Sequence, residues 1–294
     1  MGLMEWVKKI QPQYYKGERG NKPYDLELML RIFVLQNLYD LADKAVMNEI
    51  IDSRAFSSFC CVDSSNQIPD GDTIGRFRNI LIQHHLQEEL FVDVRKRLQE
   101  KGLLLMKETI VDSTLMAAPA STKNQKKERN PDAHHVKKGN QWYLGFKGHT
   151  GVDRDTSLVN NNETTAANVH DTSPVPDLLE GTKKEVFGNS GYLGIDQRKV
   201  VPKVNHEGKL IQFRINIPRS SLKKQPEPEQ EKAREAEQAK STIHSKEEHV
   251  FAVVKGIFRY RKTRSRGLAK VDAQLHMLFA LANLILADRP SVTV

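Results

Sequence analysis

Asp112 closes the short β-rich run Thr109-Ile110-Val111-Asp112, so its carboxylate is expected at the C-terminal end of a strand, facing a cleft at a sheet edge. Glu248 is a second acid, in a charged segment that reads as helix, and a third is expected on the run Glu185-Val186-Phe187-Gly188-Asn189. Carboxylates brought together from such separate positions could hold a pair of divalent ions. Two ions about 3.5–4 Å apart activate an attacking water or 3′-hydroxyl and stabilise the departing oxygen of a phosphodiester. Oxygen ligands of this kind suit Mg2+ or Mn2+. A single Asp after a strand is a weak signal, so the surrounding elements must bring the others to it.

The first 105 residues read as all-helical. Leu28, Ile32, Leu35, Tyr39 and Val46 recur near helical spacing after Pro23, which stands where a helix would begin. A second helix is expected after Asp72, whose carboxylate can cap it, and a third over about Leu86–Glu100. Arg76, Arg78, Arg95, Lys96 and Arg97 fit either a DNA-contacting module or a solvated helical face. After Gly102 the composition changes. Strands are expected at 109–112, at 141–147 and from Ser157, then a helix from about Asn168 to Leu179, then the strand at 185–189. That order, followed by more helices, predicts an α/β fold with a mixed sheet flanked by helices. The segment from Lys223 to Glu248 begins as a Pro-containing linker and ends as a charged helix. Val271–Leu286 carries the apolar stripe of a core helix. The division is therefore a helical region over 1–105 and a sheet domain over 106–294, with a short charged insertion at about 197–243.

Net charge is +8, which points to a polyanionic partner. The charge is concentrated between Lys255 and Arg266, where Lys255, Arg259, Arg261, Lys262, Arg264 and Arg266 occur with no acid and with Phe258 and Tyr260 between them, a composition suited to a phosphate backbone. Lys123–Arg129 with Lys137 and Lys138 forms a second basic stretch that can hold DNA near Asp112 or simply be solvated. The only cysteines, Cys60 and Cys61, are neighbours and can neither staple distant segments nor supply the spaced pairs of a zinc site. The pairs His84-His85 and His134-His135 read as surface histidines, His149 and His249 as candidate phosphate or carboxylate contacts, and Trp142 as core. The apolar runs fall short of the roughly 20 residues that span a bilayer, and the N-terminus lacks the pattern of a secretory signal. A cytoplasmic location is expected, with no membrane partner.

Several long stretches resemble one family. They are Thr109-Ile-Val-Asp-Ser-Thr-Leu115, Lys137-Lys-Gly-Asn-Gln-Trp-Tyr143, Lys147-Gly-His-Thr-Gly-Val-Asp153, Thr164-Thr-Ala-Ala-Asn-Val-His-Asp171, Val186-Phe-Gly-Asn-Ser-Gly-Tyr192, Arg266-Gly-Leu-Ala-Lys270 and Ala273–Asn283, with Ile68–Arg78 in the N-terminal half. In these the chain resembles the DDE transposases of the bacterial insertion-sequence-five group. The resemblance implies an N-terminal helical DNA-binding region followed by a ribonuclease-H-like domain. It also implies two Mg2+ or Mn2+ ions, and as partner double-stranded DNA, both the element's terminal inverted repeats and the target. Paired cutting of two ends implies at least a homodimer on DNA, in a nucleoid-associated setting.

Carried over by position, the family's catalytic and metal-holding triad falls on Asp112, Asn189 and Glu248. The family has Asp at the second position. An amide keeps an acceptor oxygen but no charge, so the formal ligand charge drops by one and metal binding weakens. The family's Arg four residues before the third acid is His244 here, which lacks the planar fork of Arg, whereas its Lys is matched by Lys255. Three explanations stand for Asn189: a degenerate copy acting only as a DNA-binding or domesticated protein, a substitution made to block cleavage, or activity with a replacement acid. Asp171 and Asp196 are the nearest candidates for that acid.

Overall fold

A computed structural model describes residues 3–15, 22–119, 130–179, 183–218, 221 and 226–288. The basic stretch Lys123–Arg129 lies outside the described residues. The chain opens with six helices: α1 (Leu3–Tyr14), α2 (Leu26–Leu38), α3 (Asp43–Asp52), α4 (Arg54–Cys60), α5 (Gly71–Gln83) and α6 (Leu86–Glu100). The helical periodicity between 24 and 51 is real but interrupted. The chain turns at Asp40, whose φ of 49° is left-handed, so α2 and α3 are separate. Asp25, two residues after Pro23, caps α2 by accepting from the Leu28 N–H. Asp70, not Asp72, caps α5, accepting from Thr73 N at 2.7 Å. Of the basic residues in this region, Arg78 is held in a two-pronged pair to Asp43 (2.6 and 2.8 Å), Arg95 donates to the Asn160 carbonyl at 2.9 Å, and Arg97 pairs with Glu5. These three fasten helix to helix or helix to sheet.

The sheet is built from β1 (Glu108–Ala117), β2 (His134–Lys138), β3 (Gln141–Asp153), β4 (Val159–Ala166), β5 (Glu185–Gly188) and β6 (Gln212–Ile215). β3 lies antiparallel to β1 on one edge; on its other edge it pairs with β2 over residues 141–145 and with β4 over 146–152. β5 joins β1 in parallel, and β6 joins β5 in parallel. The mixed sheet flanked by helices is therefore present, with two strands the sequence did not announce. β2 is a polar hairpin arm, and β6 lies inside the segment read as an insertion. The helix expected over 168–179 is only the single turn α7 (Val175–Leu178). After β6 come the 26-residue α8 (Glu227–Ala252), a π-helical turn over Val253–Ile257, and α9 (Leu268–Ala287).

Alternate residues of β1 point to opposite faces. Val111 packs with Val175, Leu178, Val186, Tyr192 and Ile195 on one side. Met116, on the other, joins an apolar cluster with Phe146, Val159, Val250, Val254, α9 and the N-terminal helices. The helical region and the sheet thus share one continuous core, joined through α6 and α9. α9 is long and apolar enough to cross a membrane by length and composition, but Val271 and Leu275–Asn283 are buried in this core, as its stripe predicts.

Candidate active site

Asp112 is not at the end of its strand. β1 runs on to Ala117 because its antiparallel pairing with β3 continues to Gly145. What ends beside Asp112 is the parallel partner: Val111 is opposite Gly188, and beyond that pair β1 continues while β5 turns away at Asn189. The two side chains meet in the resulting notch. Asn189 Nδ2 donates to Asp112 Oδ1 at 3.1 Å, while Asn189 Oδ1 accepts from Gly191 N at 2.8 Å and caps the short turn Ser190–Tyr192. The position expected to hold the second acid therefore adjoins Asp112, and its amide makes with Asp112 the bond that a carboxylate cannot donate.

α8 crosses this notch. Its Glu247 and Val250, with Val254 of the π-helical turn that follows, form a buried stripe against the sheet, whereas Glu248, about 100° further around, is exposed. Glu248 lines a cleft of about 870 Å³ together with Asp112, Asn189, Asn216, Arg234 and His244. Asp112, Asn189, Glu248 and His244 thus share one cleft, and an acid with an oxygen within 4.8 Å of one of Asp112's is Glu247, which sequence reasoning missed. Glu247 is fully buried; its Oε1 accepts from Thr150 Oγ1 at 2.7 Å, and Thr150 is the cross-strand neighbour of Asp112. The signal that could have found it is that 247, 250 and 254 form one stripe. His244 bridges the two acids, with Nε2 3.9 Å from Asp112 Oδ2 and Nδ1 3.7 Å from Glu247 Oε2.

Burial raises the Asp112 carboxyl above the usual carboxylate range, opposed by His244 and by the Ser113 backbone. Burial raises Glu247 further, and the Asp112 charge adds to the rise, against the Thr150 hydroxyl and the Asp112 backbone. Asp171 differs. Burial alone would raise it, but Lys147 Nζ at 2.8 Å and Ser113 Oγ at 2.9 Å hold it low. Asp171 is therefore an occupied counter-ion, and Asp196 is exposed in the turn Ile195–Gln197 outside the cleft.

Beyond the π-helical turn that holds Lys255, the basic run is an irregular strap that turns at Arg259, whose φ of 59° is left-handed. Phe258, Tyr260 and Thr263 are buried anchors, and Lys262 bridges to Ala117 at the end of β1. Arg259, Arg261, Lys262, Arg264 and Arg266 are exposed between or beyond the anchors. Arg261 Nε donates to the Lys255 carbonyl at 3.0 Å, and Arg264 pairs with Asp40. Lys255, in the π-helical turn, is half-buried, and its Nζ reaches the Leu115 carbonyl at 2.9 Å. Burial lowers its pKa, with Lys138 and Arg261 adding to the effect. Lys137 and Lys138 are exposed on the β2–β3 hairpin, where Trp142, expected in the core, is 64% exposed opposite Lys137. His249 is exposed and outside the cleft, and Cys60 and Cys61 are free thiols.

His149 is no phosphate contact. It is completely buried, with Nε2 2.8 Å from Thr165 Oγ1, and burial pushes it down to about 4, with the Lys147 charge adding and Asp171 opposing. Its folded pKa lies below the unfolded value of about 6.5. Stability is therefore complete above the unfolded pKa and falls as pH drops toward 4, because only the unfolded chain takes up the proton. Between pH 7 and 5 this single group is expected to cost about 2 kcal/mol. Urea unfolding at both pH values should show a smaller loss in His149→Gln; equal losses would remove His149 as the cause.

The family described as a Transposase DDE domain matches residues 104–284, and a Transposase domain (DUF772) matches residues 2–79. In fold, the chain is similar to the "Cryo-EM structure of piggyBac transposase synaptic complex with hairpin DNA", with a TM-score of 0.50 and 10% identity over 97% of this chain and 70% of that one. The sheet and its flanking helices are those of a ribonuclease-H-like domain. Since the DDE match runs from just before β1 through most of α9 and takes in Asp112, Asn189 and α8, the chain belongs to the transposase DDE-domain family.

Proposed function

We propose that this protein is the transposase of a bacterial insertion sequence, binding the terminal inverted repeats of its element and acting on their phosphodiester bonds and on target DNA. The observation that carries the reading is the meeting of Asp112 and position 189 where β5 leaves β1, in one cleft with His244 and Glu248 of α8. The donor set fits a divalent cation: the carboxylates of Asp112 and Glu248 in one cleft, and a buried carboxylate oxygen, Glu247 Oε2, with no hydrogen bond of ordinary geometry. Asp112 and Glu248 would hold Mg2+ or Mn2+, which supplies Lewis-acid activation of the attacking oxygen, and Asn189 would join them only with its amide turned over, since its Oδ1 faces Gly191 N.

The chain's own residues contribute position and charge. Lys255 is fixed by the Leu115 carbonyl beside the site, and the exposed arginines of the strap, with His244, Lys137 and Lys138, form the face for phosphates. Residues 1–105 would add contacts to the repeat sequence, and a homodimer on two ends would suit paired cutting in the cytoplasm or nucleoid. A second reading, a catalytically impaired copy that only binds ends, is favoured by one observation, the Asn189–Asp112 hydrogen bond that closes the notch.

Fluorescence anisotropy with the full chain tests the reading. Double-stranded DNA carrying the element's terminal repeat is expected to bind at least about 1,000-fold more tightly than scrambled DNA at physiological salt. Equal affinity for the two would overturn it.

A further inference from the structure

We propose that Glu247 supplies the carboxylate that position 189 lacks, and that Asp112, His244 and Glu247 form a mixed nitrogen–oxygen site selective for Mn2+ or a similar transition ion over Mg2+. The inference rests on the reading of the cleft as a metal-dependent DNA-processing site. Among the described residues these three offer ligand atoms that all lie within 4.8 Å of one another. The grouping does not stand on proximity alone. Glu247 is completely buried, its Oε1 is held by Thr150, and its Oε2 is left without a hydrogen bond at 3.7 Å from His244 Nδ1, itself buried and unbonded.

A buried carboxylate oxygen without a partner carries an uncompensated loss of hydration. A cation in contact with it offsets that loss, and among the described residues no Lys or Arg takes this place: Lys147 is engaged with Asp171 and Lys255 with Leu115, which leaves the His244 imidazole as the basic group facing Glu247 Oε2. The position of Glu247 is set by the fold, because the stripe through Val250 and Val254 turns residue 247 inward onto β1 and β3. An acid on that stripe is a polar intrusion into an apolar face, explicable by a ligand.

His244 sets the selectivity. A nitrogen ligand is accepted more readily by transition ions, with affinity rising from Mn2+ to Co2+, than by Mg2+, which demands near-ideal octahedral oxygen coordination and gives up its waters reluctantly. With Asn189 and His244 in place of charged groups, a second carboxylate and a nitrogen compensate through a different donor set.

The test is isothermal titration of the full chain, without DNA, with Mn2+ and with Mg2+, paired with pulsed electron paramagnetic resonance of bound Mn2+. Wild type is expected to bind Mn2+ at least ten-fold more tightly than Mg2+ and to show coupling to a directly bonded nitrogen. Glu247→Gln, which keeps the Thr150 hydrogen bond, should weaken Mn2+ at least ten-fold. Glu247→Asp, which keeps the charge, should weaken it less. His244→Arg should abolish the nitrogen coupling. Unchanged Mn2+ affinity in Glu247→Gln, or no nitrogen coupling in wild type, would overturn the inference. Anisotropy on repeat DNA separates the two failures: metal binding through His244 without repeat recognition leaves this site standing and removes the transposase reading, and the converse removes only the site.

Discussion

Asn189→Asp is expected to raise Mg2+-dependent cleavage of repeat-end DNA by about 100-fold or more, the size of one well-placed charged group. Asn189 now satisfies two neighbours at once, donating to Asp112 Oδ1 and accepting from Gly191 N. A carboxylate at 189 keeps the second bond and loses the first, setting two acids side by side in the notch. Without a cation that arrangement is repulsive, because burial already raises Asp112. The variant should therefore melt lower than wild type in chelator and recover with millimolar Mg2+, whereas wild type should barely respond to Mg2+. If Glu247 and His244 form a Mn2+ site, the gain in cleavage should be large in Mg2+ and small in Mn2+. Equal cleavage by both proteins in Mg2+ would sink the idea that residue 189 is the missing ligand.

The parts of this site that the sequence made legible are those whose signal is local. The runs 109–112 and 185–189 are short and largely apolar; the first lies within β1 and the second is β5 up to Gly188. The stripes of α2, α6 and α9 follow helical spacing because each buries one side in the shared core. What escaped depends on partners distant in the chain. β1 runs five residues past Asp112 only because β3 lies alongside it. β6, an edge strand of Gln212, Phe213, Arg214 and Ile215, has one polar face and no apolar run to announce it. Two aspartates separated by one residue, 70 and 72, could each cap α5, and the helix starts at Gly71 with the first as its cap. Glu247 and Glu248 are likewise neighbours in sequence, yet a rotation of about 100° places one in the core and the other on the cleft wall. Trp142 alternates as a core residue would, but it stands opposite Lys137 at the exposed start of β3, where its face is open.

Arg259→Gln, Lys262→Gln and Arg266→Gln combined are expected to weaken binding of both repeat and scrambled DNA on the order of 100-fold at 0.1 M salt, and to lower the slope of log affinity against log salt by about 3. The strap makes this a clean experiment. Its shape comes from Phe258, Tyr260 and Thr263, all buried, and from the bridge to Ala117, so removing exposed charge leaves the backbone path intact. Arg261 and Arg264 are left out because they hold the Lys255 carbonyl and Asp40. The wild-type melting temperature should be kept to within a few degrees, since exposed charges contribute little to stability. A phosphate-gripping strap loses repeat and scrambled DNA equally, because backbone contacts carry no sequence information. Selective loss of repeat DNA would instead assign base reading to the strap, and an unchanged salt slope would move the DNA to another face, with the β2–β3 hairpin bearing Lys137, Lys138 and exposed Trp142 next to be altered.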